Sequence, residues 1–270
     1  MIIDAHTHLE ISPDDSHPNL EQRVKDLKRF MKEAGISKAV IITLAPFFKN
    51  VLNHTQMLDL ISKEKDLYLV GTISITQGKK KDLQELDYLL KQKKIVAIKL
   101  YLGYEAFLPM DKKCFPIYDL CEKYDVPVIF HTGDTYRGKI PVKYAHPLNL
   151  DELAIKRPNL KIIMAHCGNP WVEDAILVIG RNKNVYGDIS GWTWGSFNNR
   201  DSKFLRPTFE RILGWCGADK ILFGTDWCCN HPSVYSSIQK EYVNFVKSFK
   251  LSKEEEELIF HKNAQRLFKI

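Results

Sequence analysis

The stretch "LKIIMAH" (160–166) carries four apolar residues in a row, Ile162 to Ala165, and closes on a histidine. A strand with one face in water would alternate apolar and polar residues. This one does not, so it reads as a strand buried on both faces, as in a parallel sheet. Outward from it the same text recurs. Upstream lie "MIIDA" (1–5), "KAVIITL" (38–44), "LYLVGTISI" (67–75), "IVAIKLYL" (95–102) and "VPVIFHT" (126–132); downstream lie "NVYGDIS" (184–190) and "KILFGTD" (220–226). Between these runs the apolar period changes to that of a helix. Leu20, Val24, Leu27, Met31 and Ala34 form one stripe that stops at Gly35, a residue suited to end a helix in the left-handed region. Leu83, Leu86 and Leu90 repeat the stripe, as do Ile117, Leu120, Cys121 and Tyr124 behind Pro116. Ser252 and Glu255 have the spacing of a capping box. Eight strand–helix units in 270 residues predict an α/β fold, a (β/α)8 TIM barrel forming a single domain over 1–270. An open doubly wound sheet is the competitor, but the chain has no G-x-G-x-x-G loop.

Composition narrows the setting. The chain is 44% hydrophobic and 27% charged, with a net charge of +6. No apolar run approaches the ~20 residues of a membrane span. The first residues read as a strand rather than a basic-then-apolar leader, so a cytoplasmic protein is expected. The six cysteines show no Cys-x-x-Cys spacing and read as free thiols. The lysine runs "GKKKD" (78–82) and "KQKK" (91–94) have no interleaved aromatics. They read as solvated faces, and no nucleic-acid partner is expected.

The polar residues fall in a pattern. In such a barrel the chemistry lies at the C-terminal ends of the strands. Strand 1 ends on His6 and His8, whose i, i+2 spacing lets two imidazoles converge. Strand 4 carries Lys99, strand 5 ends on His131, strand 6 on His166 and strand 8 on Asp226. Singly, each has a plain structural reading: a satisfied core histidine, a turn-capping aspartate, a snorkelling lysine. Together they place five potential metal ligands and a lysine at one level of one barrel mouth. His17, His54, His146 and His261 fall in loops or helical stretches instead, and His231 follows strand 8.

With these residues, "IDAHTH", "AIKLY", "HPLNLDELAIKRPNLKIIMAHCG", "KILFGTDW" and the terminal "NAQRLF" resemble, in order from residue 2 to residue 268, the amidohydrolase-related family of the amidohydrolase superfamily, often called amidohydrolase 2. The resemblance implies a TIM barrel holding a divalent metal, usually zinc. It also implies hydrolases or non-oxidative decarboxylases acting on small carboxylated or lactone substrates. A one-ion site would use His6, His8, His131 and Asp226 and suit Zn2+, or Mn2+ with more water. Asp226 would then serve as general base, His166 would orient the nucleophile or polarise a carbonyl, and Asp4, on the same strand face as His6, would brace a ligand. In some superfamily branches a strand-4 lysine is carbamylated and bridges two ions; here Lys99 and His166 would join a second site. Left as an ammonium, Lys99 would bind a substrate carboxylate.

Specificity is expected from the loops. Trp192, Trp194 and Trp227 are candidates to wall a flat substrate, and Arg137 to clamp a carboxylate. The expectation is thus a metal-dependent hydrolase cleaving an ester, lactone or amide of a small carboxylated or cyclic molecule, with decarboxylation as the alternative. A TatD-like nuclease fits less well, since that type places a glutamate where this chain has Lys99. A non-catalytic metal binder would not need both His166 and Asp226. The small-molecule substrate is the expected partner, with no membrane, and the resemblance allows a homodimer.

Overall fold

The computed structural model describes residues 1–9, 19–48, 51–135, 138–193, 197, 203–228 and 237–270. Eight parallel strands form one sheet in chain order. They are β1 (Ile3–Thr7), β2 (Lys38–Ile42), β3 (Leu67–Thr72), β4 (Ile98–Leu100), β5 (Val128–His131), β6 (Ile162–Ala165), β7 (Val185–Asp188) and β8 (Ile221–Leu222). The helices following them are α1 (Leu20–Ala34), α2 (His54–Ile61), α3 (Lys80–Lys91), α4 (Phe115–Tyr124), α5 (Asp151–Lys156), α6 (Val172–Arg181), α7 (Leu205–Cys216) and α8 (Ile238–Lys247). The chain is a single (β/α)8 barrel, as its apolar runs predict.

The alternation along each strand sorts its side chains. Ile3, Ala5, Val40, Ile42, Val70, Ala97, Ile129, Ile163, Ala165 and Leu222 pack together inside the barrel. Ile41, Leu69, Leu100, Phe130, Met164 and Ile221 point outward into a second core shared with the helices. Local chemistry sets the helix ends. Asn19 caps α1 by accepting from the Gln22 N–H, and Gly35 ends it at φ 73°. Ser252 and Glu255 form the capping box of α9 (Lys253–Glu257), which continues through a π turn (Leu258–Lys262) into α10 (Asn263–Phe268). Ala264, Leu267 and Phe268 of α10 join the interior cluster and close the end of the barrel opposite the strand C-termini.

The last strand and the first meet irregularly. β8 has two residues, shorter than the expected 220–226, because its continuation follows a bulge in β1 between Asp4 and Thr7. Discrete bonds close the cylinder there: Ala5 N–H to Phe223 O at 2.9 Å, Asp226 N–H to His6 O at 2.8 Å, and His8 N–H to Trp227 O at 2.8 Å. Ile3 and Ala5 face the interior below the bulge, and His6 and His8 face the mouth above it. No helix among the described residues is long and apolar enough to cross a membrane.

Candidate metal centre at the barrel mouth

The strand ends bring His6, His8 and Asp226 together, with one ligand atom from each lying within 4.8 Å of the others. Asp226 Oδ1 is 3.5 Å from His6 Nε2 and 3.3 Å from His8 Nε2. A second group, His6, His166 and Asp188, shares His6. The His166 ring centroid is 4.9 Å from that of His6 and 5.0 Å from that of His131. His131 therefore stands one step further round the mouth, beside His166 and outside the tight triangle. Lys99 is fully buried among them, and its Nζ has no hydrogen-bond partner among the described residues.

The hydrogen bonds decide what each imidazole presents. His6 Nδ1 faces Asp188 Oδ2 at 2.9 Å. His8 Nδ1 faces the Ile42 carbonyl at 2.8 Å, and His131 Nε2 faces the Asp134 carbonyl at 2.8 Å. His166 Nδ1 faces the Ser190 carbonyl at 3.1 Å. Each partner is an acceptor, so each of these nitrogens carries the N–H and the other ring nitrogen is left as a lone pair. Burial, the leading cause, lowers the pKa of His6 to about 4 and that of His131 well below its ordinary value; nearby Lys99 adds to both. Burial lowers His166 as well. Burial works against the charged form of Asp226, but the histidines around it, His8 foremost, hold it below the usual carboxylate range.

In the neutral form of each ring, the Nε2 lone pairs of His6 and His8 converge on one carboxylate oxygen. Neutral imidazoles would then face an ionised carboxylate across 3.3–3.5 Å in a partly buried site, an arrangement that a cation would bridge. The surroundings leave room for it. Gly191 adopts φ +65°, and a Cβ there would lie 2.7 Å from His166 Nδ1 and 3.2 Å from Asp226 Oδ2. His166 and Asp226 themselves hold left-handed backbones, φ 63° and 59°, uncommon for side-chain-bearing residues and frequent at working sites. The donor set fits a divalent metal.

Several sequence expectations change. Asp4, read as sharing a face with His6 and bracing a ligand, points away. Its carboxylate accepts from Thr225 N–H at 3.0 Å, Thr225 Oγ1 at 2.6 Å and Gln239 Nε2 at 3.1 Å, fastening the seam. The bulge after Asp4 breaks the strict alternation on which that reading relied. Asp188, a second strand-end carboxylate, braces His6 instead. Its signal was present in "VYGDIS", since Asp188 shares strand parity with inward Tyr186. Trp192 and Trp227 do not wall the mouth. Both are buried in the outer core, Trp192 donating its Nε1–H to the His166 carbonyl at 2.9 Å and Trp227 packing 6.2 Å from Phe30. Arg137, Trp194 and His231 lie outside the described residues. An aromatic wall exists elsewhere: Phe47, Phe48, Tyr101 and Tyr104 pack edge to face across the loops after β2 and β4. Tyr104 meets His131 at 4.8 Å, and Lys99 Nζ lies 5.5 Å from the Tyr101 ring centroid.

A TIM barrel with histidines and carboxylates converging at its strand C-termini has the architecture on which barrel enzymes build their active sites. Comparison with known proteins places it more narrowly. The profile of the Amidohydrolase family matches residues 3–270, and the chain belongs to that family. No curated protein matches it in sequence. Among solved structures it is similar to a probable 2-pyrone-4,6-dicarboxylic acid hydrolase from Acinetobacter baumannii with citric acid bound (19% identity, TM-score 0.71, 100% of this chain and 99% of that one). It is also similar to a zinc-bound amidohydrolase from Burkholderia multivorans (15%, 0.73, 100% and 99%). The 5-carboxyvanillate decarboxylase from Sphingomonas paucimobilis is a third (12%, 0.72, 100% and 99%). These likenesses show a shared fold.

Proposed function

We propose that this chain is a metal-dependent hydrolase that opens an ester, lactone or amide bond in a small carboxylated or cyclic substrate. The observation that carries the reading is the convergence of His6, His8 and Asp226 at the mouth. These residues, with His131, would hold one divalent ion, zinc or manganese, which supplies Lewis acidity toward water and a substrate carbonyl. Asp226 keeps a second oxygen, Oδ2, toward Gly191, an acceptor placed to take the proton that water gives up. His166 offers its Nε2 lone pair to a hydroxyl or carbonyl-bound water across the same space. Lys99 supports an anionic substrate, since a buried ammonium without a hydrogen-bond partner is suited to pair with a carboxylate. The Phe47–Phe48–Tyr101–Tyr104 wall beside it supports a flat one.

Decarboxylation is the second reading, favoured by the same Lys99. A carboxylate drawn into this buried, aromatic-sided space is the group that such an enzyme expels. A second cation between His131 and His166 is favoured by the position of His131 outside the triangle. One set of measurements separates these. Metal analysis of protein produced in defined zinc or manganese gives the stoichiometry, and intact mass reports whether Lys99 is modified. Lactones, esters and aromatic carboxylates are then screened for acid release and for trapped carbon dioxide. One equivalent of metal with acid release supports the hydrolase; carbon dioxide from the same substrates transfers it to the decarboxylases. Protein that binds no divalent ion overturns both.

A further inference from the structure

Ser190 lies two residues beyond Asp188, fully buried, and its hydroxyl touches three groups at once. Ser190 Oγ is 3.0 Å from His6 Nδ1 and 2.9 Å from His166 Nδ1, and it bonds Asp188 Oδ1. Asp188 Oδ1 also accepts the backbone N–H groups of His166 at 2.9 Å and Ser190 at 3.0 Å, while Oδ2 faces His6 Nδ1 at 2.9 Å. The proton count has one consistent solution. Asp188 Oδ1 already accepts two backbone N–H groups, so it stands as an acceptor with no place for a proton of its own. The serine proton therefore goes to Asp188. The serine lone pairs then accept from the imidazoles, which must carry their hydrogens on Nδ1.

We infer that Asp188 and Ser190 are positioning residues that lock His6 and His166 as Nδ1–H tautomers, so that both Nε2 lone pairs stay available in the mouth. This rests on the cation reading above and deepens it: one carboxylate sets the protonation pattern of a metal ligand and of the neighbouring acid–base imidazole together. It also holds the left-handed backbone of His166 through its N–H. The lock is needed because an unconstrained histidine side chain prefers the opposite tautomer, which would turn an N–H against the cation. Partners of this kind behind a ligating imidazole typically change metal affinity ~10–100-fold when altered.

The test is long-range 1H–15N correlation spectroscopy of histidine-labelled, metal-free protein, followed by titration with Co2+ read by its visible absorption. The wild type is expected to show Nδ1–H at both His6 and His166. Asp188→Asn is nearly isosteric. Its amide oxygen must stay toward the two backbone N–H groups, so its NH2 faces His6 Nδ1 and turns that ring to Nε2–H. Co2+ affinity should then fall at least tenfold. A wild-type His6 or His166 carrying Nε2–H overturns the proposal without any variant. So does Asp188→Asn with His6 unchanged and Co2+ affinity within twofold. The two readings fail separately. Correct tautomers with no Co2+ bound leave the lock standing and remove the cation site; Co2+ bound over an Nε2–H His6 does the reverse.

Discussion

Lys99 is held at a cost. Burial lowers its pKa to about 8, against the pull of Asp188 and Asp226 in the other direction. Below that pH both folded and unfolded chains carry the proton, and the folded one buries a charge. Between about 8 and the unfolded value of 10.5 the unfolded chain binds more protons, so stability rises with pH. Lys99→Met should therefore stabilise the metal-free protein at pH 7 by up to ~3 kcal/mol and abolish the wild-type rise toward pH 10. Denaturant unfolding at the two pH values measures both effects, and capture of carboxylate substrates should be lost. Gly191 has the opposite role, supplying space. Gly191→Ala must adopt φ +65° and place a methyl 2.7 Å from His166 Nδ1. The expected result is a folded protein, destabilised by ~1–2 kcal/mol, with turnover lost. At this scale the histidines were legible because each ends an apolar run. Ser190 was not, because a single serine has no periodicity and its importance lies in contacts with His6, 184 positions away.

At the scale of elements, uninterrupted apolar text announces buried parallel strands, and Asn19, Gly35 and Ser252 mark helix ends by local chemistry alone. The bulge in β1 was hidden, because nothing within "MIIDAHTH" reports that strand 8 will meet it out of step. Asp4 was misplaced for that reason. The two tryptophans were misplaced because large aromatics in a loop sequence read alike whether they face the mouth or the helices. The turn into α10 carries its own test. Asn263 is fully buried and donates to the carbonyls of Ala218 and Ile221, each at 2.8 Å. Asn263→Ala strands two buried acceptors beside β8 and should cost ~2–4 kcal/mol, read as a lower denaturation midpoint with an unchanged slope.

For the whole molecule, the apolar interior and the helix-facing core are each a packed cluster built without the histidines and carboxylates of the mouth. Stripping metal with a chelator should leave far-UV circular dichroism intact and lower the melting temperature. The loss corresponds to ~4 kcal/mol if the ion had been present at a thousand times its dissociation constant. A parallel loss of helical signal would mean that the ion is part of the core. The seam between first and last strands has a temporal meaning as well. The carboxylate of Asp226 reaches the imidazoles only when its own N–H bonds the His6 carbonyl, so arrival of the final strand and completion of the trap are one event. A nascent or half-assembled chain owns the two imidazoles but not the acid. On the proposed cation reading, loading would then follow folding, and a charged centre would certify a finished barrel.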